Sequence, residues 1–150
     1  MIFGDGAGAM VIGLTDEPAI GPVVWGSDGS QWEAIRQDKD WLQYFADLKE
    51  DPTADRPWIA MTGIAVFRWA ALEMAKVARE ALDKAGITAG DLDVFVPHQA
   101  NSRITDLLAK SLELAEDIPV ANDIAEDGNT SAASIPLAVE ELLRTGKAKK

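Results

Sequence analysis

Apolar and polar positions alternate in distinct registers along the chain. Ala7 to Leu14 is small or apolar throughout and follows a glycine-rich entry, the composition of a strand buried on both faces. Ile20 to Trp25 reads as a second strand, opened by Gly21 and Pro22 and closed by the turn-forming run Ser27, Asp28, Gly29, Ser30. From Gln31 to Pro57 the pattern weakens to a surface excursion, within which Trp41, Tyr44, Phe45 and Leu48 share one face of a short helix. The clearest helix spans about Ile64 to Ala85, with Phe67, Ala70, Ala71, Met74, Ala78, Ala81, Leu82 and Ala85 on one side. Glu80 and Lys84 stand in the favourable i, i+4 order there, and Gly86 supplies a stop.

A short strand over Asp93 to Val96 follows, and Pro97 blocks a helical start before His98. A helix from about Asn101 to Leu114 should turn Ile104, Leu107, Leu108 and Leu112 inward. A strand-like piece from Ile118 to Ala121 then leads to the turn Glu126 to Ser131, and a last helix runs to about Thr145 with Gly146 as its stop. Strands alternating with helices predict an α/β domain with a largely parallel sheet flanked by helices, in which reactive residues gather at the carboxyl ends of strands. His98 occupies such a position.

With 150 residues, 47% of them hydrophobic and 26% charged, the chain is long enough and apolar enough for one domain with a single core. The net charge of -11 argues against nucleic acid or an anionic membrane as partner, since phosphate binding needs clustered Lys and Arg. No run approaches the roughly 18 apolar residues of a membrane span, which makes the cytoplasm the expected location. Cysteine is absent, which removes disulfides, thiolate metal ligands and a thiol nucleophile from this chain.

Three local patterns bear on chemistry. Gly4, Asp5, Gly6, Ala7, Gly8 superficially suggests a nucleotide-binding loop, but such a loop follows a strand and opens a helix, whereas this run opens a strand. Close backbone packing explains the glycines better. His98 is the single histidine, so neither a histidine-rich metal site nor a serine triad is supported, and by itself it reads as a structural hydrogen-bonding residue. Its surroundings change that reading. Val96, Pro97, His98, Gln99, Ala100, Asn101 puts an imidazole between a strand and a helix, and Gly128, Asn129, Thr130, Ser131 puts a carboxamide in a glycine turn before another helix. An imidazole N–H and a carboxamide NH2 at two such junctions could converge on one developing oxyanion.

The segments FGDGAGAMVIG, VFVPHQANSRI and GNTSAASIPLA, in this order and spacing, resemble β-ketoacyl-acyl-carrier-protein synthase III of the thiolase superfamily, and the resemblance covers essentially the whole chain. It implies a partial C-terminal thiolase-like domain over residues 1–150. In such an enzyme a short acyl-CoA acylates a cysteine in the N-terminal half, and malonyl-acyl-carrier protein is then decarboxylated for a Claisen condensation that starts fatty-acid synthesis. By resemblance, His98 and Asn129 are the catalytic donors to the malonyl thioester oxygen. The resemblance also places Gly63 and Phe67 in the stretch lining the pantetheine channel, with Ala100 and Asn101 beside it, although Ile64 stands where the family often has a polar residue. Arg68 and Arg103 match basic positions where an acidic acyl-carrier protein docks, while on charge alone both read as ordinary solvated helix residues.

The resemblance further implies acyl-CoA and acyl-carrier protein as substrates, no cofactor and no metal, and a homodimeric full-length parent. It also implies an N-terminal half carrying the cysteine, and two final strands, that these 150 residues do not include. The expected chain is therefore a fragment inactive in condensation by itself. Two other readings stay open at this point: a non-catalytic half-domain for assembly or carrier docking, and a polyketide-starter condensing enzyme.

Overall fold

A computed structural model describes residues 3–149 of the chain. Two compact units are present: one is formed by the segment up to Val24 together with the chain from Ala71 onward, the other by Trp25–Ala70.

In the smaller unit, strands β1 (Ile35–Gln37) and β2 (Ile59–Met61) pair antiparallel, with Ile35 opposite Met61 and Gln37 opposite Ile59. Between them lies helix α1 (Trp41–Glu50), whose first turn is capped by the Asp40 carboxylate accepting from the Gln43 N–H at 2.7 Å. Trp41, Tyr44 and Phe45 lie against one another with ring centroids 5.5–6.1 Å apart, as the spacing of the aromatics predicts. Asp38 ties the ends of the excursion together. Its carboxylate accepts from the N–H of Trp58 at 2.7 Å and of Lys39 at 3.0 Å, and the Trp58 bond chiefly holds its pKa below the ordinary value. The surface excursion expected over Gln31–Pro57 thus carries its short helix between two exposed paired strands, the second of which lies just beyond that stretch. Strands of three residues give too few alternations to register as a pattern.

Helix α2 (Gly63–Ala85) begins in the smaller unit and ends in the larger, where Ala71 and Ala75 are buried. It stops at Gly86, which adopts φ +71°, and Glu80 and Lys84 form the expected ion pair at 2.8 Å.

In the larger unit, the parallel pairing expected of the sheet is present as one bridge between Phe95 and Val120 among the described residues. The Phe95 N–H donates to the Pro119 carbonyl and the Ala121 N–H donates to the Phe95 carbonyl, each at 2.9 Å. Helix α3 (Ser102–Ser111) buries Leu108 in its body and Leu112 at its end, and the Asn101 side chain caps it by accepting from the Arg103 N–H at 3.0 Å. A single turn, α4 (Ile124–Asp127), stands where only a turn was expected, and helix α5 (Ser134–Arg144) ends before Gly146 at φ +72°. Ala121, Ala138 and Leu142 form the core, with Val94, Val96 and Ala148 packed on it.

The two strands expected over Ala7–Leu14 and Ile20–Trp25 do not form. Val11 and Leu14 are as exposed as in an extended peptide, at 102% and 106%. An apolar run encodes burial, but a strand also needs a neighbour to satisfy its N–H and C=O groups. No other described segment pairs with these residues.

Candidate functional site

The loop bearing His98 is held from below by Gln99. The Phe95–Val120 bridge fixes the end of the extended segment, and the next buried polar group is the Gln99 side chain, which has no exposed surface. Its Nε2 donates to the Pro97 carbonyl at 2.9 Å and to the Ala121 carbonyl at 3.2 Å, while its Oε1 accepts from the Ile124 N–H at 3.3 Å. One carboxamide therefore uses both donors and an acceptor to pin the loop to the following strand end and to the start of α4.

His98 itself is turned outward, with its Nδ1 2.6 Å from the Oγ of Ser134, the first residue of α5. The Gln99 N–H donates to the same oxygen at 3.2 Å. Partial burial of the ring lowers the His98 pKa below 6.5, which favours neutral imidazole near pH 7.

Asn129 lies five residues before Ser134 in a turn with two left-handed positions, Gly128 at φ +69° and Ser131 at φ +57°. The Asn129 Oδ1 accepts from the Ser131 N–H at 2.9 Å. A backbone N–H can only donate, so the oxygen must be the atom facing Ser131 and the NH2 is directed away from it. The Asn129 carbonyl in turn accepts from the Gly4 N–H at 2.8 Å. The glycine run packs closely here: a Cβ on Gly4 would run into the Asp127 carbonyl, and one on Gly6 would lie 2.7 Å from the Thr130 methyl. Close packing, not a phosphate cradle, accounts for these glycines.

The structure thus anchors His98 and Asn129 to the same helix start, one through Ser134 and the other through the turn leading into it. Ala100 is half-buried beside His98, Asn101 uses its Oδ1 as the α3 cap, and Arg103 is exposed on the first turn of that helix. Gly63, Phe67 and Arg68 belong to the smaller unit, where Gly63 opens α2, Phe67 is half-buried and Arg68 is exposed. Sequence reasoning passed over Gln99 and Ser134, although both lie inside the two runs that contain His98 and Asn129. No local pattern marks either residue, because the long-range bonds that hold them in place reach partners 22 to 36 positions away.

The described residues contain no cluster of His, Cys, Asp and Glu able to hold a metal ion, and no helix among them is long and apolar enough to cross a membrane. What the two junctions can supply is a pair of neutral hydrogen-bond donors.

Residues 82–150 match the family described as 3-oxoacyl-[acyl-carrier-protein] synthase III C terminal. The chain is 58% identical over 148 residues to the mycobacterial beta-ketoacyl-[acyl-carrier-protein] synthase III of Mycobacterium avium, covering 99% of this chain and 43% of that protein. It is 57% identical, with the same coverage, to the beta-ketoacyl-[acyl-carrier-protein] synthase III of Streptomyces glaucescens. The chain therefore spans less than half the length of these relatives. Among solved structures, the priming β-ketosynthase of the R1128 polyketide biosynthetic pathway superposes with a TM-score of 0.82 at 46% identity, over 91% of this chain and 40% of that one. The 3-oxoacyl-(acyl carrier protein) synthase III of Pseudomonas aeruginosa PAO1 gives 0.67 at 39% identity, over 83% of this chain and 35% of that one. The α/β fold is accordingly that of a partial thiolase-like domain.

Proposed function

From the chain's membership of the β-ketoacyl-[acyl-carrier-protein] synthase III family, as its C-terminal half, we propose that it supplies the decarboxylation donors of a condensing acyltransferase. In the full-length enzyme a short acyl-CoA acylates a cysteine outside these residues. Malonyl-acyl-carrier protein then loses carbon dioxide, and the resulting enolate attacks the acyl thioester. His98 and Asn129 donate hydrogen bonds to the malonyl thioester oxygen as negative charge develops on it. Donors of this kind typically stabilise the transition state by about 3 to 4 kcal/mol each.

The observation that carries this reading is the orientation of Asn129. Its oxygen accepts from the Ser131 N–H at 2.9 Å, which turns its NH2 away from the backbone of the turn, and NH2 is what an enolate oxygen requires. By resemblance to the family, Gly63 and Phe67 belong to the stretch that lines the pantetheine channel, and Ala100 and Asn101 to the stretch beside it. Arg68 and Arg103, both exposed, contribute to docking of the acidic acyl-carrier protein. The full-length parent acts as a cytoplasmic homodimer without a cofactor, and the 150 residues alone, having no cysteine, do not condense.

A second reading keeps the chemistry and changes the pathway. The likeness to a priming ketosynthase of polyketide biosynthesis favours a starter-unit enzyme, which a comparison of acyl-CoA substrates would separate from fatty-acid initiation.

The test joins this sequence to a cysteine-bearing N-terminal half and the final strands, and measures acetyl transfer and carbon dioxide release separately. His98→Ala or Asn129→Ala should leave acetylation of the cysteine largely intact and slow decarboxylation on the order of 100-fold to 1000-fold. Loss of acetylation with decarboxylation spared would overturn the assignment.

A further inference from the structure

The Ser134 hydroxyl is fully buried at the start of α5 and faces two groups, the Gln99 N–H at 3.2 Å and the His98 Nδ1 at 2.6 Å. Backbone N–H groups only donate, so Gln99 takes one lone pair of the Ser134 oxygen. The hydroxyl proton then needs an acceptor of its own, and among the described residues the His98 Nδ1 is the one within reach. If Nδ1 carried a proton, it would occupy the second lone pair of the oxygen and leave a buried hydroxyl proton with nothing to bond. That arrangement is disfavoured because no water compensates inside the protein.

We infer that Ser134 is a positioning residue that holds His98 in the Nε2–H tautomer, by donating its hydroxyl proton to Nδ1 while its oxygen accepts from the Gln99 N–H. In this arrangement the ring nitrogen remote from the protein body carries the proton and can donate it outward. The opposite tautomer would present a lone pair to the substrate and repel an oxyanion. The functional meaning of the inference rests on the reading of His98 as an oxyanion donor, whereas the tautomer itself is a property of the folded chain. Burial of the ring, which lowers its pKa, acts in the same direction by keeping it neutral.

His98 is the single histidine of the sequence, so its ring nitrogens can be assigned without ambiguity by nitrogen-15 NMR of the labelled chain above the His98 pKa. The expected spectrum has a pyridine-like Nδ1 and a pyrrole-like Nε2, with the Ser134 hydroxyl proton correlated to Nδ1. In Ser134→Ala the two nitrogen shifts should move toward each other as the Nδ1–H form appears, and that change would not follow from a merely structural serine. A pyrrole-like Nδ1 in the unmodified chain, or a Ser134→Ala spectrum with the tautomer unchanged, would overturn the inference. Should Ser134→Ala fail to fold, the hydroxyl-to-Nδ1 correlation in the unmodified chain decides by its presence or absence. Failure of the functional reading is separable: the tautomer would be Nε2–H as expected while His98→Ala in the joined synthase left decarboxylation unaffected.

Discussion

The Gly4 N–H donates to the Asn129 carbonyl across 2.8 Å, joining the beginning of the described chain to the turn that presents the candidate carboxamide. The contact demands glycine, because a side chain there would collide with the backbone carbonyl of Asp127, which cannot move without displacing the turn. Gly4→Ala should therefore lower stability by about 1 to 3 kcal/mol, the usual range for overpacking. Gly13→Ala is the matched control, since a Cβ at Gly13 meets nothing within 4 Å. Urea unfolding of both variants checks this, and equal midpoints would remove Gly4 from the support of the Asn129 turn.

Gln99 bonds two carbonyls and one N–H from full burial, and a Leu of similar volume would leave all three without that partner. Each buried polar group deprived of its partner costs about 1 to 3 kcal/mol. Gln99→Leu should thus destabilise the chain by at least about 2 kcal/mol and increase hydrogen exchange at the Ile124 amide. Unchanged exchange at Ile124 would show that Gln99 does not hold the His98 loop.

These two residues also mark how much the sequence makes legible. Helix α2 could be read because eight apolar residues recur at helical spacing, and α5 because Gly146 punctuates it. His98 and Asn129 stood out because Pro97 and Gly128 interrupt the regular elements beside them. The strands expected over Ala7–Leu14 and Ile20–Trp25 failed because apolarity specifies burial but not the partner that provides it. Gln99 and Ser134 were missed for a related reason: a buried polar side chain is justified by hydrogen bonds to residues distant in sequence, which no periodicity records. The α1 aromatics announce their shared face by spacing, whereas the three-residue strands of the β1–β2 ribbon are too short to show an alternation.

The lowered pKa of His98 gives a signed dependence on pH. Burial disfavours the imidazolium, so the folded-state value lies below the unfolded value near 6.5. The corresponding stability is fully present above 6.5 and is lost as pH falls through the folded value. Titration of the single histidine by NMR should give a midpoint below 6.5. His98→Gln should flatten this part of the stability profile, and a midpoint above 6.5 would reverse the sign.

Asp123 carries the opposite signature. It is buried at the start of α4, its Oδ2 has no hydrogen-bond partner among the described residues, and its pKa is raised, first by burial and then by the nearby charges of Asp127, Glu141 and Glu140. An acid whose folded value lies above the unfolded 3.8 favours folding while protonated, and that contribution is lost as pH rises through the folded value. At neutral pH the Asp123 carboxylate therefore works against the fold, in a turn whose Ile124 N–H also anchors Gln99. Asp123→Asn keeps the shape and removes the charge, so it should raise the melting temperature at pH 7. The gain should shrink on acidification and vanish below about pH 3.8, where the native carboxyl is itself neutral. Melting both proteins from pH 3 to pH 7 tests the whole argument, because a gain independent of pH would point to a new hydrogen bond from the asparagine NH2 instead of relief of a buried charge.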